Sequence, residues 1–173
     1  MNAERERFER TVLPHLDAAY NLARWLTRND HDADDVLQDA MLRAYRHFAG
    51  LRGEPRPWLL AVVRNACWSW LQANRPAEVE PLGDELADDS IPGPEAALAR
   101  TLDRRLLNEA IAALPVQFRE VLVLRELEDL SYRDIARVAG IPIGTVMSRL
   151  ARARRLLTES LHVVATPRLR VHK

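Results

Sequence analysis

The stretch that decides the fold class is SYRDIARVAGIPIGTVMSRLARARRLL, residues 131–157. Ser131 is a good helix N-cap with Asp134 three positions later, and Gly140 suits the left-handed position at which a helix ends. A second helical pattern begins at residue 143. Two helices joined by so short a turn cross steeply, which predicts a helix-turn-helix. A small and a β-branched residue stand where the helices cross and pack, at Ala136 and Val146.

The second helix of this motif carries groups that nucleic acids bind. Residues 141–157 hold four arginines and no acid, although the whole chain has 25 basic and 25 acidic side chains. A helix N-terminus favours phosphate, and hydroxyl and guanidinium groups bond phosphates or base edges. The pattern favours duplex DNA as the ligand over a solvated arginine-rich helix. The polar side chains of the first turns are Thr145, Ser148, Arg149 and Arg152, and Arg154 and Arg155 extend the positive field.

The composition indicates a soluble, cytoplasmic, all-α protein. Of 173 residues, 47% are apolar, which is enough for a core, and only 6% are aromatic. No apolar run approaches the roughly 20 residues of a membrane span, and the charged N-terminus lacks a signal-peptide core. The single cysteine, Cys67, excludes an internal disulfide and fits a reducing compartment.

An acidic, Pro- and Gly-containing stretch divides the chain into two small helical domains. Residues 76–96 carry seven acidic side chains and no basic one, whereas residues 131–173 carry nine basic side chains against two acidic ones. Such composition is typical of a linker. The expected organisation is an N-terminal domain at 1–75, a flexible acidic linker at 76–97, a C-terminal domain at 98–160 and a tail at 161–173.

Apolar periodicity predicts the remaining helices. Pro14 can interrupt the first of them, and Asp32 is expected to cap the second. Phe118, Val121, Leu122 and Leu124 are expected in the C-terminal core. The predicted spans are residues 4–27, 33–48, 58–73, 95–113 and 116–127.

Nothing in the sequence points to catalysis. The five histidines lack ligand spacing, and Asp30-His31-Asp32 is better explained by a turn and helix cap than by a metal site. Cys67 has no CxxC partner, and no glycine loop could cradle phosphates. We therefore expect no enzyme activity, no catalytic residue, no metal and no cofactor.

Three stretches together resemble one protein family. LPVQFREVLVLRELEDLSYRDIARVAGIPIGTVMSRLARARRLL (residues 114–157) resembles the C-terminal domain of bacterial RNA polymerase sigma factors of the extracytoplasmic-function (ECF) class. DADDVLQDAMLRAYRHF (32–48) and PWLLAVVRNACWSWL (57–71) resemble the other domain of that class, in the same order and with a linker between. The resemblance spans about residues 8–158.

The resemblance implies that the helix over residues 32–48 binds the clamp helices of the polymerase's largest subunit. Asp35, Gln38, Asp39 and Leu42 match the positions that face polymerase in the family. Polar residues around one exposed leucine make a reasonable docking surface. Without the family pattern, the same residues would be an ordinary solvated face.

The resemblance also implies that the loop 48–57 and the helix after it open the downstream promoter element and hold its melted strand. Arg64 and Asn65 match an Arg-Asn pair in the strand-binding helix. Trp68 and Trp70 are able to stack on bases. They diverge by about 200° on a helix, so at least one is expected in the core. Many relatives are basic where this chain reads CWSWLQ (residues 67–72), which weakens the expectation of tight strand binding.

For the C-terminal domain, the resemblance implies that the helix from residue 143 reads the upstream promoter element. Met147, Ser148 and Ala151 match base-facing positions, and Met147 is a departure, because Lys or Arg is frequent there. It removes a cation and offers an apolar contact to a thymine methyl. The positions that match backbone or mixed contacts are Thr145, Arg149, Arg152 and Arg155.

The sequence therefore predicts a promoter-specificity subunit of RNA polymerase that directs transcription initiation. Its expected partners are core RNA polymerase, promoter DNA and, by resemblance only, an anti-sigma factor, with no membrane insertion. One alternative is a helix-turn-helix regulator that is not a polymerase subunit, which would need no docking surface at residues 35–42. Another is a pure interaction module, which would tolerate charge reversal at Arg149 and Arg152.

Overall fold

Helices account for nearly all the regular structure in the part of the chain that a computed structural model describes, residues 2–81 and 104–169, with side chains to residue 162. We call the two described parts the N-terminal half and the C-terminal half. The eight α-helices in these residues are α1 (Ala3–Val12), α2 (Leu16–Thr27), α3 (Asp30–His47), α4 (Pro55–Asn74), α5 (Arg104–Ala112), α6 (Val116–Leu122), α7 (Tyr132–Ala139) and α8 (Ile143–Leu169).

Proline divides the first predicted helix. Leu13–His15 form a 3-10 turn around Pro14 between α1 and α2, because proline supplies no backbone N–H and its ring crowds the preceding turn. Helix α2 ends at Thr27, and its C-cap residue Arg28 takes the left-handed conformation with φ 58°. The interruption that Pro14 allowed is thus present, and it separates α1 from α2.

The predicted cap of α3 was wrong. The side chain of Asn29 accepts a hydrogen bond from the Asp32 amide at 3.0 Å, so α3 begins at Asp30. Asp32 lies inside the first turn, where its carboxylate accepts from Arg75 at 3.1 Å. Asparagine is as good an N-cap as aspartate, and its earlier position leaves Asp32 free to hold the end of α4.

Helix α4 begins earlier than predicted, with Pro55 and Pro57 in its first turn. Proline fits there because the first amides of a helix have no intrahelical acceptor. After α4, the start of the predicted linker forms a 3-10 turn at Pro76–Val79. Residues 82–97 of that linker, and residues 95–103 of the predicted helix at 95–113, lie outside the described residues.

The C-terminal half contains the predicted core and a longer last helix. Phe118, Val121, Leu122 and Leu124 are buried, as predicted. Helix α6 continues into a π-helical turn at Val123–Leu127, and α8 runs past its predicted end to Leu169.

The two halves pack against each other. Helix α4 contacts α7, and α2 contacts α6. Buried side chains of both halves form one continuous apolar cluster. The predicted fold class, an all-α chain with a helix-turn-helix in its second half, is confirmed, and the packing brings the C-terminal half onto α4.

Candidate nucleic-acid interface

Local capping fixes the geometry of the helix-turn-helix. Ser131 Oγ accepts from the Asp134 amide at 3.1 Å and starts α7. Gly140 ends α7 with φ 67°, a conformation that costs glycine little, and the Ile141 amide donates to the Ala136 carbonyl at 3.1 Å. The turn therefore redirects the chain within three residues and fixes where α8 begins.

Helix α8 buries one side and leaves the other for a ligand. Val146, Leu150 and Ala153 are buried, and Met147 is 53% exposed. The other predicted DNA-contacting side chains are half-buried. We call the whole set the recognition face, and it comprises Thr145, Met147, Ser148, Arg149, Ala151, Arg152 and Arg155.

Contacts within the C-terminal half hold parts of this surface in place. The Ser148 hydroxyl donates to the Thr145 carbonyl at 3.1 Å, and the Arg152 guanidinium lies 5.3 Å from the Phe118 ring centre. Arg154, expected to extend the positive field, pairs with Glu126 at 2.6 Å. Glu126 therefore offsets the charge of Arg154, and the positive field of α8 extends less far along the helix than the sequence suggested.

On α4, two of the three predicted strand-contacting residues are already engaged. Arg64 donates through Nε to Glu120 Oε2 at 2.9 Å and through Nη2 to Oε1 at 3.1 Å. The Trp68 indole N–H donates to the same carboxylate at 2.8 Å. Glu120 is fully buried, whereas Asn65 is exposed. We call Arg64, Asn65 and Trp68 the strand face, and Glu120 of α6 binds Arg64 and Trp68.

Neither tryptophan of α4 is fully buried. Trp68 and Trp70 are both half-buried and pack against the apolar core. The Arg64 guanidinium lies 4.4 Å from the Trp68 ring centre, and Arg75 lies 4.9 Å from that of Trp70. The two rings thus point different ways, each beside its own arginine.

A second carboxylate makes a similar contact. Glu128 is 7% exposed. Arg56 donates to its carboxylate at 2.9 Å and to its backbone carbonyl at 2.6 Å, and Asn21 donates to it at 3.0 Å. We call Glu120 and Glu128 the carboxylate pair, since both come from the C-terminal half and bind arginines of the N-terminal half.

Sequence reasoning missed the carboxylate pair. One signal was present: Arg119 and Glu120 stand side by side as the only charged residues in the run of residues 116–124, which is otherwise apolar except for Gln117. Charges in a buried helix need partners. Arg119 donates to the carbonyls of Ala112, Leu114 and Leu26. Burial, followed by the charge of Arg28, lowers the pKa of Arg119 to about 10, so it stays charged at neutral pH.

The predicted polymerase-docking residues lie together on α3. Leu42 is 59% exposed, and Asp35, Gln38 and Asp39 are exposed around it. Asp39 pairs with Arg43 at 2.7 Å, one turn away. We call these four residues the docking face. Beside Gln38 and Leu42 runs an apolar groove lined by Phe8, Leu16, Leu37, Met41 and Tyr45.

Other chemistry is sparse in the described residues. No group of three His, Cys, Asp or Glu side chains within 2–81 and 104–162 is arranged to hold a metal ion. No helix in the described part is long and apolar enough to cross a membrane. Cys67 is buried, and burial, followed by the charge of Glu120, raises the pKa of its thiol to about 12.

Two family models match the chain in the order that the folded halves follow. Sigma-70 region 2 matches residues 11–76, and Sigma-70, region 4 matches residues 104–157. The first match spans α2 to α4, and the second spans the C-terminal half up to the middle of α8.

Relatives match along most of the length. The ECF RNA polymerase sigma-E factor of Haemophilus influenzae is 34% identical, and the match covers 81% of this chain and 79% of the relative. The RNA polymerase sigma-H factor of Pseudomonas aeruginosa is 32% identical, with 91% of this chain and 88% of the relative covered. The ECF RNA polymerase sigma factor SigM of Mycobacterium tuberculosis is 34% identical, and the match covers 94% of this chain and 81% of the relative.

A solved structure agrees in fold. The sigma factor RpoE of Bartonella quintana, in complex with the anti-sigma factor NepR, superposes with a TM-score of 0.71 at 25% identity, covering 91% of this chain and 98% of that one. These similarities argue against the alternative of a helix-turn-helix regulator that is not a polymerase subunit. The chain belongs to the ECF class of the sigma-70 family: it is a non-enzymatic sigma factor that directs promoter recognition by RNA polymerase.

Proposed function

We propose that this sigma factor divides its work among the three surfaces described above. The docking face binds core RNA polymerase, the recognition face reads the upstream promoter element as duplex, and the strand face holds the melted downstream element. The domains that carry them correspond to residues 1–75 and 98–160, joined by the linker at 76–97, and the protein acts in the cytoplasm.

The recognition face supports duplex reading by its chemistry. Hydroxyls and guanidinium groups lie on the outer side of a helix whose inner side, through Val146 and Leu150, is fixed in the core. A rigid helix with this surface fits the major groove, where phosphate contacts position it and base contacts specify the sequence. Met147 is the most exposed of the set and is placed for an apolar base contact.

The strand face supports single-strand binding by a different chemistry. An arginine beside an indole offers a charge for the backbone and a flat surface for a base. Asn65 adds an exposed amide one residue from Arg64, and amides read base edges. The face offers few cations, so it binds the melted strand mainly by stacking and polar contacts.

The proposed binding to core polymerase rests on the docking face. The exposed Leu42 beside an apolar groove is the observation that supports this proposal most directly. Interfaces commonly place an apolar anchor at the centre of a polar rim. Leu42 is such an anchor, with Asp35, Gln38 and Asp39 as the rim.

The substitution Leu42→Asp tests this face. We expect it to weaken binding to core RNA polymerase by about 2 kcal/mol, roughly 30-fold, because a charge replaces the central apolar contact. Core affinity is measured by titration of each variant against core polymerase, and start-site selection by transcription in vitro on genomic fragments. Leu13→Asp is the matched control, since Leu13 is 51% exposed but does not line the groove. Equal core affinity of the Leu42→Asp variant and the wild type would refute the docking assignment.

An anti-sigma factor is a further proposed partner. The relative of known structure from Bartonella quintana is bound to such a protein, and the docking face with its apolar groove offers the kind of surface that an inhibitor can cover. Co-purification from the native host, followed by competition with core polymerase, tests this proposal. Simultaneous binding of the captured protein and polymerase would argue against inhibition at the docking face.

A further inference from the structure

Two large apolar side chains stand exposed at the start of α8. Ile143 is 44% exposed and Met147 is 53% exposed. In the described part of the C-terminal half, Leu127 is the only other large apolar side chain that is exposed to a similar degree. Residues four positions apart lie on the same face of a helix, one turn above the other. Ile143 and Met147 therefore form one exposed patch, which we call the apolar pair.

The core of the C-terminal half is built without the apolar pair. The apolar cluster of the described residues includes Ile141 of the turn and Val146 and Leu150 of α8, but neither member of the pair. Gly144, which follows the first member, carries no side chain, and a Cβ atom there would meet nothing within 4 Å. The pair therefore presents its apolar surface outward, beside a stretch of backbone that a ligand can approach closely.

The apolar pair lies among the polar groups of the recognition face. Ser148 and Arg149 follow Met147 directly, and the half-buried Ala151 continues the apolar row one turn later. The row is thus presented together with hydroxyl and guanidinium groups that bind phosphates and base edges. The sequence did not single out Ile143 for DNA contact, because spacing alone does not say whether an isoleucine at a helix start is buried.

An exposed apolar side chain on a DNA-reading helix has one favourable ligand in the major groove, the C5 methyl group of thymine. Opposite other bases, it would cover amino groups and acceptor atoms without bonding them, which costs free energy. The same side chain therefore favours thymine and disfavours its competitors. Four residues of a helix rise about 6 Å, close to two base-pair steps of about 3.4 Å. The apolar pair thus fits two methyl groups that stand one or two base pairs apart.

We propose that Ile143 is a specificity-determining residue, and that Ile143 and Met147 together read the methyl groups of two nearby thymines in the upstream promoter element. The proposal rests on the assignment of the recognition face to duplex reading. The apolar pair then selects the sequence, whereas the cations of the same face supply most of the affinity through phosphate contacts.

Removal of single methyl groups from the DNA tests the proposal. Holoenzyme first selects bound duplexes from a randomised pool, and we expect thymine at two positions one or two base pairs apart. Deoxyuridine then replaces each of these thymines in turn, which removes the methyl group and keeps the base pairing. Each replacement should weaken duplex binding about fourfold, since one buried methyl group contributes about 0.8 kcal/mol, and both together should weaken it about fifteenfold.

Variants of the protein assign each methyl group to its side chain. Ile143→Ala holoenzyme should lose the fourfold difference between thymine and deoxyuridine at one position and keep it at the other. Met147→Ala should show the reverse pattern. Leu127→Ala is the matched control, because Leu127 is 46% exposed in the same half but lies in the π-helical turn outside α8, so it should keep both differences. Circular dichroism shows whether each variant keeps its helices.

The outcomes separate methyl reading from the recognition face itself. A selected element without the two thymines, or wild-type binding that is insensitive to both replacements, would overturn methyl reading. A methyl effect that only Met147→Ala removes would overturn the role of Ile143. In both cases, weaker duplex binding by Arg149→Ala holoenzyme would still support the recognition face. If Arg149→Ala binds as the wild type does and neither replacement has an effect, the recognition face fails together with the apolar pair.

Discussion

The two surfaces that we propose for DNA binding differ in whether their side chains are available to a ligand. On α8 the basic side chains lie on the outer side of a helix that its own half holds in place, and Met147 stands 53% exposed. On α4 the arginine and the indole are turned to a carboxylate of the other half. The comparison teaches that side chains suited to a ligand can already be engaged within the chain, since Glu120 binds both Arg64 and Trp68.

The difference also separates two ways of neutralising charge. Arg154 of α8 is paired with Glu126 of the same half, so domain movement leaves that pair intact. Arg64 of α4 is paired across the interface with Glu120, so domain movement breaks it. Only the second kind of pair can report or control the relative position of the halves.

The largest expected effect concerns Cys67, the single cysteine of the chain. It lies on the covered helix, and burial, followed by the charge of Glu120, raises its pKa from 9.0 to about 12. The thiolate fraction near pH 8 is then about a thousandfold below that of the unfolded chain. Alkylation in native buffer and in denaturant, followed by mass spectrometry, measures the ratio. Equal rates in both would show that the Cys67 thiol is not buried in the folded chain.

The sign of the accompanying pH effect follows from the same shift. A thiol whose pKa is raised on folding holds its proton in the folded state between pH 9 and about 12. Its stabilising contribution is complete below pH 9 and declines as the pH rises through that window. The Cys67→Ala variant should lose less stability over this range than the wild type, as followed by thermal unfolding.

A smaller effect is expected on the open surface. The substitution Arg149→Ala should weaken binding of the upstream element by about 1 to 3 kcal/mol and reduce the salt dependence by about one counterion. The measurement is a duplex titration of the holoenzyme at several salt concentrations. Arg10→Ala is the control, since Arg10 is exposed on α1. If the two variants bind alike, α8 does not face DNA through Arg149.

The smallest expected effect is a change of preference at Met147. The substitution Met147→Lys adds a cation and removes an apolar contact, so general affinity should rise, and preference for thymine at one position should fall by about 1 kcal/mol. Selection of bound duplexes from a randomised pool by wild-type and variant holoenzyme checks this. An identical selected sequence would mean that Met147 does not touch a base.

Much of the fold could be predicted because its signals are local. The bonds at the two ends of α7, where Ser131 and Gly140 lie, join residues at most five positions apart, and Val146 is buried as its spacing indicated. The cap of α3 was misplaced because Asn29 and Asp32 are both good caps, and the chain geometry chose between them.

The covering of α4 could not be predicted in the same way. Arg64 and Glu120 are 56 residues apart in sequence, and their contact depends on how two separately recognisable domains pack. Local patterns contain no such information. The sequence does predict that Arg119 and Glu120 have partners, because charged residues inside a largely apolar run require them. It does not predict which residues those partners are.

The most direct test of the account is the distance between the two halves in the free protein and in holoenzyme bound to promoter DNA. Spin labels at the exposed positions Gln72 of α4 and Glu159 of α8, in a Cys67→Ala background, report it. We predict one short distance in the free chain and a clearly longer one in the promoter complex. The same short distance in both states would contradict the claim that the strand face must be uncovered before it binds DNA.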